Sequence, residues 1–207
     1  VRELVQEWAT AAKRSVEAGF DVIEIHAAHG YLVHQFLSPI TNQRTDEFGG
    51  SLEKRAKYLV DIVKGIRGAV GEDVPIIVRF SATDYREDGF TVEHCAEVAK
   101  LCEAEGADVF DISSGGLVLG VKIPFGPGYQ VPMANDIALE VEAPVAAVGL
   151  ITDSKQAEEI LQTTDVEIIM IGRLSLRDPY WPLRAAHELG VDVDYWPNQY
   201  IRGTYPA

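Results

Sequence analysis

The stretch Val22-Ile23-Glu24-Ile25-His26-Ala27-Ala28-His29-Gly30-Tyr31-Leu32 decides how the rest of the chain is interpreted. It joins a short apolar run to two imidazoles and then to a phenol. An apolar run that leads directly into chemistry-bearing side chains is typical of the junction between a strand and the following helix in α/β proteins. We therefore expect a buried strand near residues 22–25, with His26, His29 and Tyr31 on the loop at its carboxyl end.

The composition indicates a globular, acidic chain. Its 207 residues are 47% hydrophobic and 24% charged, which is enough apolar material for one sizeable core. The net charge of −14 argues against a surface for nucleic acids or anionic membranes. Cys95 and Cys102 are too few and too close for a disulfide framework, which favours a reducing, cytoplasmic location. No run approaches the roughly 18 apolar residues of a membrane span.

Strand and helix patterns alternate along the chain. The strands are expected near residues 22–25, 76–80, 109–112, 145–148 and 167–171, and they are short and largely apolar on both faces. That pattern predicts a buried parallel sheet with right-handed crossovers. A doubly wound sheet would normally carry a glycine-rich phosphate turn after its first strand, and the sequence has none there. Polar or glycine residues at the end of every strand favour a (β/α)₈ TIM barrel, whose active site lies at that end.

Five strands cannot close such a barrel. We therefore expect residues 1–190 to be the C-terminal portion of a (β/α)₈ barrel, with about three βα units missing upstream. The chain begins at Val1 inside what is predicted to be a helix, which fits the C-terminal part of a longer protein. Residues 191–207 form an aromatic tail that we expect to be available for contact with another subunit.

His26 and His29 are open to three interpretations. As paired hydrogen-bond donors they can bind and polarise a carbonyl or nitro oxygen, with Tyr31 as a proton donor. Together with Glu24, which shares a strand face with His26, they could bind a metal, although His-x-x-His on a loop is a poor copy of the helical zinc motif. They could also be packed, hydrogen-bonded histidines without a ligand. Spacing alone does not choose between these interpretations.

The other strand ends predict a site for an anion. Arg79 ends the second strand, and a guanidinium there needs an anionic ligand or a carboxylate such as Asp84 or Asp111. Gly149 and Gly172-Arg173 end the last two strands, where glycines beside helix N-termini expose backbone N–H groups. Because the loops after the seventh and eighth strands are the usual phosphate site of this barrel, we expect a phosphate group at these glycines.

Several segments together resemble the old yellow enzyme family. The matching segments are residues 19–32, Phe36-Leu37-Ser38-Pro39, Asn42, residues 44–51, residues 78–82, residues 111–116, residues 127–130, residues 147–151 and residues 171–173. The similarity covers essentially the whole chain in the expected order. The His-x-x-His pattern is similar to one subclass, where other members carry His-x-x-Asn.

The resemblance implies an ene-reductase that binds FMN and is reduced by NADPH or NADH. In such an enzyme His26 and His29 hold the electron-withdrawing oxygen of an enone or nitroalkene. Hydride then passes from flavin N5 to the β-carbon in a ping-pong cycle, and Tyr31 protonates the α-carbon.

The resemblance also implies contacts to the flavin and to a second subunit. Arg79 would lie against the pyrimidine edge of the flavin, with Ser113 as a weaker match to a flavin contact. Gly149 and Gly172-Arg173 would surround the phosphate. Arg202 matches an arginine that reaches into a neighbouring subunit's active site in this subclass, which implies a homodimer or homotetramer.

Two other functions stay open. A flavin-free phosphate-binding barrel lyase would share the phosphate site, but it normally carries a lysine on a barrel strand. Lys64 and Lys100 lie on predicted helices, and Lys122 lies in a loop. The chain could instead be a non-catalytic segment of a larger flavoprotein that makes subunit contacts through residues 195–205.

Overall fold

Five parallel strands form the sheet of the protein, for which a computed structural model describes residues 1–205. The last two residues of the predicted tail, 206 and 207, lie outside the described part. The strands are β1 Ile23–Ala27, β2 Ile76–Ser81, β3 Val109–Ser113, β4 Val145–Ala147 and β5 Ile168–Ile169. Their spatial order is the chain order, β1-β2-β3-β4-β5, and every neighbouring pair is parallel. A doubly wound sheet reverses its strand order at a switch point. The uninterrupted order therefore identifies part of a (β/α)₈ barrel, as the sequence predicts.

Helices connect the strands. They are α1 Arg2–Glu17, α2 Leu32–Leu37, α3 Leu52–Val70, α4 Val92–Ala104, α5 Val131–Ala138, α6 Ser154–Thr163, α7 Arg173–Arg177 and α8 Trp181–Glu188, followed by a 3₁₀ helix at Asn198–Gly203. The short helix α2 is not expected from the sequence. Within residues 1–205, no helix has an apolar stretch long enough to cross a bilayer.

The strand bounds differ from the sequence-based expectation in two ways that matter. β1 extends to Ala27, so that His26 lies on the strand and not in the loop after it. The reason is its pairing with β2, because His26 stands opposite Arg79 and Ala27 opposite Phe80. β5 is reduced to Ile168–Ile169, and the chain has left the sheet well before Gly172.

One face of the sheet carries the hydrophobic core. Ile25, Val78 and Phe110 stand side by side on adjacent strands and are fully buried. Phe80 and Ile112 form the next row in the same way. These residues and the apolar side chains of the helices form one cluster, and burial of each large side chain contributes about 1.5–3 kcal/mol to folding.

The opposite face carries the polar residues. By the two-residue period of a strand, it presents Glu24, His26, Arg79 and Asp111 on three neighbouring strands. Glu24 is exposed at its lower end, whereas His26 and Arg79 are half-buried nearer the carboxyl ends of the strands. In a closed barrel this face is the interior, so these residues lie at the top of the barrel, where active sites are built.

The carboxyl end of α3 is fastened by one buried arginine. The guanidinium of Arg67 donates hydrogen bonds to the carbonyls of Gly71 at 2.6 Å, Val74 at 2.9 Å and Gly106 at 2.7 Å. It also pairs with the carboxylate of Asp108. The last carbonyls of a helix have no partners within the helix, and here a single side chain connects that end of the helix to the start of β2 and the turn before β3.

Candidate functional site

A polar row across β1, β2 and β3 forms the base of the site. His26 stands opposite Arg79, which in turn stands opposite Asp111. Nε of Arg79 lies 3.1 Å from Oδ2 of Asp111, with side-chain exposures of 28% and 2%. The expected carboxylate partner of Arg79 is therefore Asp111 and not Asp84. The pairing leaves more than a quarter of the arginine accessible from the cleft that it lines.

Asp111 is an unusual carboxylate. Burial raises the pKa of its carboxyl group to about 6, although Arg79 opposes the shift. Its Oδ1 atom is buried and has no hydrogen-bond partner among the described residues. A group so placed holds the guanidinium of Arg79 close to the sheet and offsets part of its positive charge.

His29 occupies a strained turn that other residues fix in place. Its φ is 57°, in the left-handed region that costs a non-glycine residue about 1 kcal/mol or more. The backbone N–H of His29 donates to Oγ of Ser81 at 2.9 Å, and that hydroxyl donates to the carbonyl of Gly115 at 2.8 Å. Nε2 of His29 lies 2.9 Å from Oγ of Ser113. The turn after β1 is thus fixed to the ends of β2 and β3.

Gly30 and Gly116 allow the two loops to touch. A Cβ on Gly30 would stand 2.7 Å from the carbonyl oxygen of Gly116, and a Cβ on Gly116 would stand 2.7 Å from Cα of His29. Both glycines also have positive φ, 77° and 87°. Only glycine fits this contact, which places the loop after β3 directly against the histidine turn.

The two histidines are held in the neutral state. Burial and then the charge of Arg79, with a smaller contribution from His26, lower the pKa of His29 to about 4. Burial and Arg79 also lower the pKa of His26. A neutral imidazole donates one hydrogen bond and accepts one. Since Nε2 of His29 is engaged with Ser113, Nδ1 is the ring nitrogen of His29 available to a ligand.

Tyr31 completes a cluster of three rings. The ring centroids of His26 and His29 are 5.3 Å apart, and those of His26 and Tyr31 are 5.4 Å apart. Tyr31 immediately precedes α2, and its side chain is 64% exposed. The structure therefore brings all three predicted catalytic residues together, with the phenol on the solvent side.

A cleft of about 260 Å³ extends from His29 and Arg79 to the ends of β4 and β5. Gly149 and Gly172-Arg173 line its far side, so the predicted cofactor contacts share one cavity with Ser113. Gly149 has a φ of 129°, and a Cβ there would meet the Tyr129 ring at 2.9 Å. No lysine is among the lining residues of the cleft.

The sequence did not point to several residues of this cleft. Tyr129 and Gln130 enter it from the long loop after β3, and Arg177 enters it from α7. Arg177 had a detectable signal, since it follows Arg173 by four residues and so shares a helix face with it. Gln130 belongs to the segment 127–130 that resembles the family, but the sequence did not predict its contact. Its Nε2 donates to the carbonyl of Val148, at the end of a distant strand, at 2.7 Å.

A hydrogen-bonded chain fixes the loop after β3 beside the cleft. The hydroxyl of Tyr85 lies 2.8 Å from Oγ of Ser114. The Ser114 hydroxyl donates to Oε1 of Gln130 at 2.6 Å. Gln130 then reaches the end of β4 through Val148. The wall of the cleft is therefore fixed by buried polar contacts between elements that are distant in sequence.

Arg202 is separate from this cleft. It is exposed in the 3₁₀ helix near the end of the chain and is not among the residues that line the cavity. In residues 1–205, no group of three or more His, Cys, Asp or Glu side chains is arranged to hold a metal ion.

Known proteins are similar to this chain in sequence and in fold. The family described as NADH:flavin oxidoreductase / NADH oxidase matches residues 1–192. An NADPH dehydrogenase of Geobacillus thermodenitrificans (strain NG80-2) is 47% identical over 203 residues, which are 98% of this chain and 58% of that protein. An NADPH dehydrogenase of Listeria monocytogenes serotype 4a (strain HCC23) is 49% identical over 202 residues, again 98% of this chain and 59% of that protein.

A solved structure of a 2-naphthoyl-CoA reductase in complex with 2-naphthoyl-CoA superimposes with a TM-score of 0.81 at 34% sequence identity. The superposition covers 90% of this chain and 29% of the reductase chain. The chain thus spans less than two thirds of the length of the curated relatives that it matches.

Proposed function

Because the chain belongs to the NADH:flavin oxidoreductase / NADH oxidase family, we propose that the whole protein is an FMN-dependent enzyme that reduces activated C=C bonds with NADPH or NADH. The observation that carries this proposal is the neutral pair His26 and His29, whose ring centroids are 5.3 Å apart. His29 lines the cleft together with Arg79 and Arg173, and His26 stands next to His29. We place the chain in the His-x-x-His subclass of old yellow enzymes on the same residues.

The residues present fit an FMN group. FMN carries a phosphate at the end of its side chain, and positive charge beside its ring stabilises the reduced form, so arginines are favourable at both places. The cleft has Arg79 at the end near His29, and Arg173 and Arg177 at the other end. A Cβ on Gly172 would meet no atom within 4 Å, so the backbone there is open to the phosphate.

The roles that we propose for the side chains follow from the hydrogen bonds, protons and charges that each can supply. His26 and His29 donate hydrogen bonds to the carbonyl or nitro oxygen of the substrate and so make its β-carbon electrophilic. When bound, FMN supplies the hydride that this carbon accepts. Tyr31 donates its hydroxyl proton to the α-carbon and recovers a proton from water, to which its 64% exposed side chain is open. Arg79 stabilises negative charge at the pyrimidine edge, with Asp111 holding it in place.

A complete site needs more than this chain. The barrel-interior face of the sheet leaves Glu24 exposed and Ile77 half-buried, which fits coverage by further barrel strands. We therefore propose that preceding βα units close the barrel and complete the flavin site. We also propose that Arg202, exposed and outside the cleft, contacts the active site of a second subunit in a homo-oligomer.

The test uses the full-length protein. We expect a flavin absorption spectrum that NADPH bleaches without oxygen and that cyclohexenone restores. Replacing both histidines (His26→Ala with His29→Ala) is expected to lower kcat/KM for cyclohexenone at least about 100-fold, since one lost donor to a developing oxyanion costs about that factor.

The matched control is His94→Gln, which alters a histidine on α4, outside the cleft. It is expected to leave turnover unchanged. A protein that carries no flavin, or a double variant as active as the wild type, would contradict the proposal.

A further inference from the structure

A fully buried pair, His34 and Asp84, lies behind the histidine turn, and the function proposed above assigns it no role. Both side chains are 0% exposed, and Nε2 of His34 is 3.0 Å from Oδ1 of Asp84. Within residues 1–205 neither atom has a hydrogen bond of ordinary geometry, so this 3.0 Å contact is the polar interaction that each of them has. A buried polar pair of this kind is costly unless each partner is satisfied, which calls for an explanation of what it does.

The other ring nitrogen of His34 points to the site. The backbone N–H of Gly30 donates to Nδ1 of His34 at 3.0 Å. Gly30 follows His29 directly, and both have left-handed backbones, with φ of 77° and 57°. An imidazole that accepts at Nδ1 carries its proton on Nε2, where it faces the carboxylate of Asp84. The contacts thus define one tautomer of a neutral ring.

Asp84 is itself fixed in orientation. Its Oδ2 atom accepts hydrogen bonds from the hydroxyl of Ser38 at 2.6 Å and from the backbone N–H of Phe90 at 2.7 Å. Burial alone would raise the pKa of this carboxyl, but the hydrogen bonds from His34, Phe90 and Ser38 together lower the pKa below its ordinary value. With Oδ2 occupied by two donors, Oδ1 is the atom turned to His34.

We propose that Asp84 and His34 are positioning residues that hold the His29 turn in its ligand-binding conformation, an inference that rests on the proposed function. Asp84 fixes the tautomer of His34, the ring gives the N–H of Gly30 its acceptor, and the strained turn keeps the His29 imidazole at Ser113. Neither residue is among those that line the cleft. They act through the backbone of the turn.

Replacing Asp84 by Asn reverses the tautomer. The backbone N–H of Phe90 and the hydroxyl of Ser38 both donate to the position of Oδ2, so the amide oxygen of Asn takes that position. The NH₂ group of Asn then faces Nε2 of His34. Nε2 must then accept, and the ring proton moves to Nδ1. There it meets the N–H of Gly30, so that two donors oppose each other in a buried site. A carboxylate-to-amide change that imposes the wrong histidine tautomer is a documented way to disable a site without changing its shape.

The experiment measures the oxidative half-reaction of the full-length, FMN-loaded protein. The flavin is photoreduced without oxygen, so that no nicotinamide is involved, and its reoxidation by cyclohexenone gives an apparent Kd and a limiting rate. For Asp84→Asn we expect about a 10-fold or greater rise in that Kd, the usual effect of an unsatisfied buried donor, with unchanged FMN content. Asp88→Asn, an exposed position in the same loop, is expected to match the wild type.

A rescue separates positioning from general damage. In the double variant His34→Asn with Asp84→Asn, the amide oxygen at position 34 takes the place of Nδ1 and accepts from Gly30 again. We expect its Kd to return to within about 3-fold of the wild-type value. An Asp84→Asn protein with wild-type Kd, or a double variant no better than Asp84→Asn, would overturn the proposal.

Two further measurements keep the test decisive. If Asp84→Asn does not fold, His34→Asn is compared with His34→Leu, because only the first keeps an acceptor for Gly30. Equal Kd values for these two variants would overturn the proposal. Nitrogen NMR of ¹⁵N-histidine-labelled protein reports the tautomer of His34 directly, and a proton on Nδ1 in the wild type would also overturn it. If the wild type is not reoxidised by the enone, the proposed function fails, whereas the NMR result still decides the tautomer.

Discussion

At the scale of single residues, the site depends on backbone conformations that the side chains alone do not explain. His29 adopts a left-handed φ of 57°, and it is held there by Ser81 at its N–H and by Ser113 at its ring. Strain of this kind persists only where the surroundings determine it fully, and it is common at functional sites. The surroundings of His29 also keep its ring neutral, because burial and the nearby charge of Arg79 lower its pKa.

Gly30 gives the first prediction at this scale. In Gly30→Ala, the new Cβ would stand 2.7 Å from the Gly116 carbonyl oxygen, in addition to the left-handed strain of about 1 kcal/mol. We expect a loss of about 3 kcal/mol in the free energy of unfolding and a strong fall in enone turnover. Urea unfolding and steady-state kinetics of the full-length protein measure these effects.

Gly120→Ala is the matched control for that change. Gly120 has nearly the same φ, 76°, but a Cβ there would meet nothing within 4 Å. Its cost should therefore be limited to the backbone strain, about 1 kcal/mol, with turnover unchanged. Equal losses in the two variants would mean that the contact between the two loops contributes nothing.

His29 gives a prediction about pH. Its pKa is about 4 in the folded protein and 6.5 ordinarily, so below pH 6.5 the unfolded chain binds more protons than the folded one. Stability therefore falls as the pH drops from 6.5 towards 4. We expect His29→Asn to lose less stability than the wild type between pH 7 and pH 5, by about 1 kcal/mol once partial solvent exposure is allowed for. Urea unfolding at the two pH values measures this difference, and identical losses would be the contrary result.

At the scale of elements, the position of α3 depends on Arg67. Three backbone carbonyls and one carboxylate surround its guanidinium, which connects the end of α3 to the segments before β2 and β3. These two strands carry Arg79 and Asp111. The side chain therefore contributes to the site through the placement of whole elements.

Arg67→Ala should remove this connection. Buried carbonyls without donors cost about 1–3 kcal/mol each, so we expect the variant to lose about 3 kcal/mol or more in the free energy of unfolding. Arg86→Ala breaks an exposed ion pair with Asp88 and should cost less than about 1 kcal/mol. Thermal or urea unfolding compares the two variants. A loss at Arg67 no larger than that at Arg86 would show that the helix end is held by other contacts.

At the scale of the whole molecule, the sheet has one covered face and one open face. The core side is buried by helices, whereas Glu24 is exposed on the other side and Ile77 and Val109 there are only half-buried. We predict that residues 1–207 expressed alone will not bind FMN in a 1:1 ratio or unfold cooperatively. The reason is that an open barrel leaves the interior face of the sheet uncovered. A sharp unfolding transition together with one flavin per chain would contradict this prediction. The full-length protein, purified in the same way, is the control.

The local pattern of the sequence determined the fold class and the family. Alternating apolar strands and amphipathic helices, with polar residues at each strand end, are readable without tertiary contacts because burial imposes them on each segment separately. The family match confirms the resemblance at that level. The residues that complete the site were not readable in this way. Ser81 beside His29, the His34–Asp84 pair behind Gly30, and Gln130 at Val148 all join positions that lie far apart along the chain or in an unexpected helix. Only the tertiary structure decided these contacts, because a buried polar group takes whichever partner the packing of the strands brings within about 3 Å.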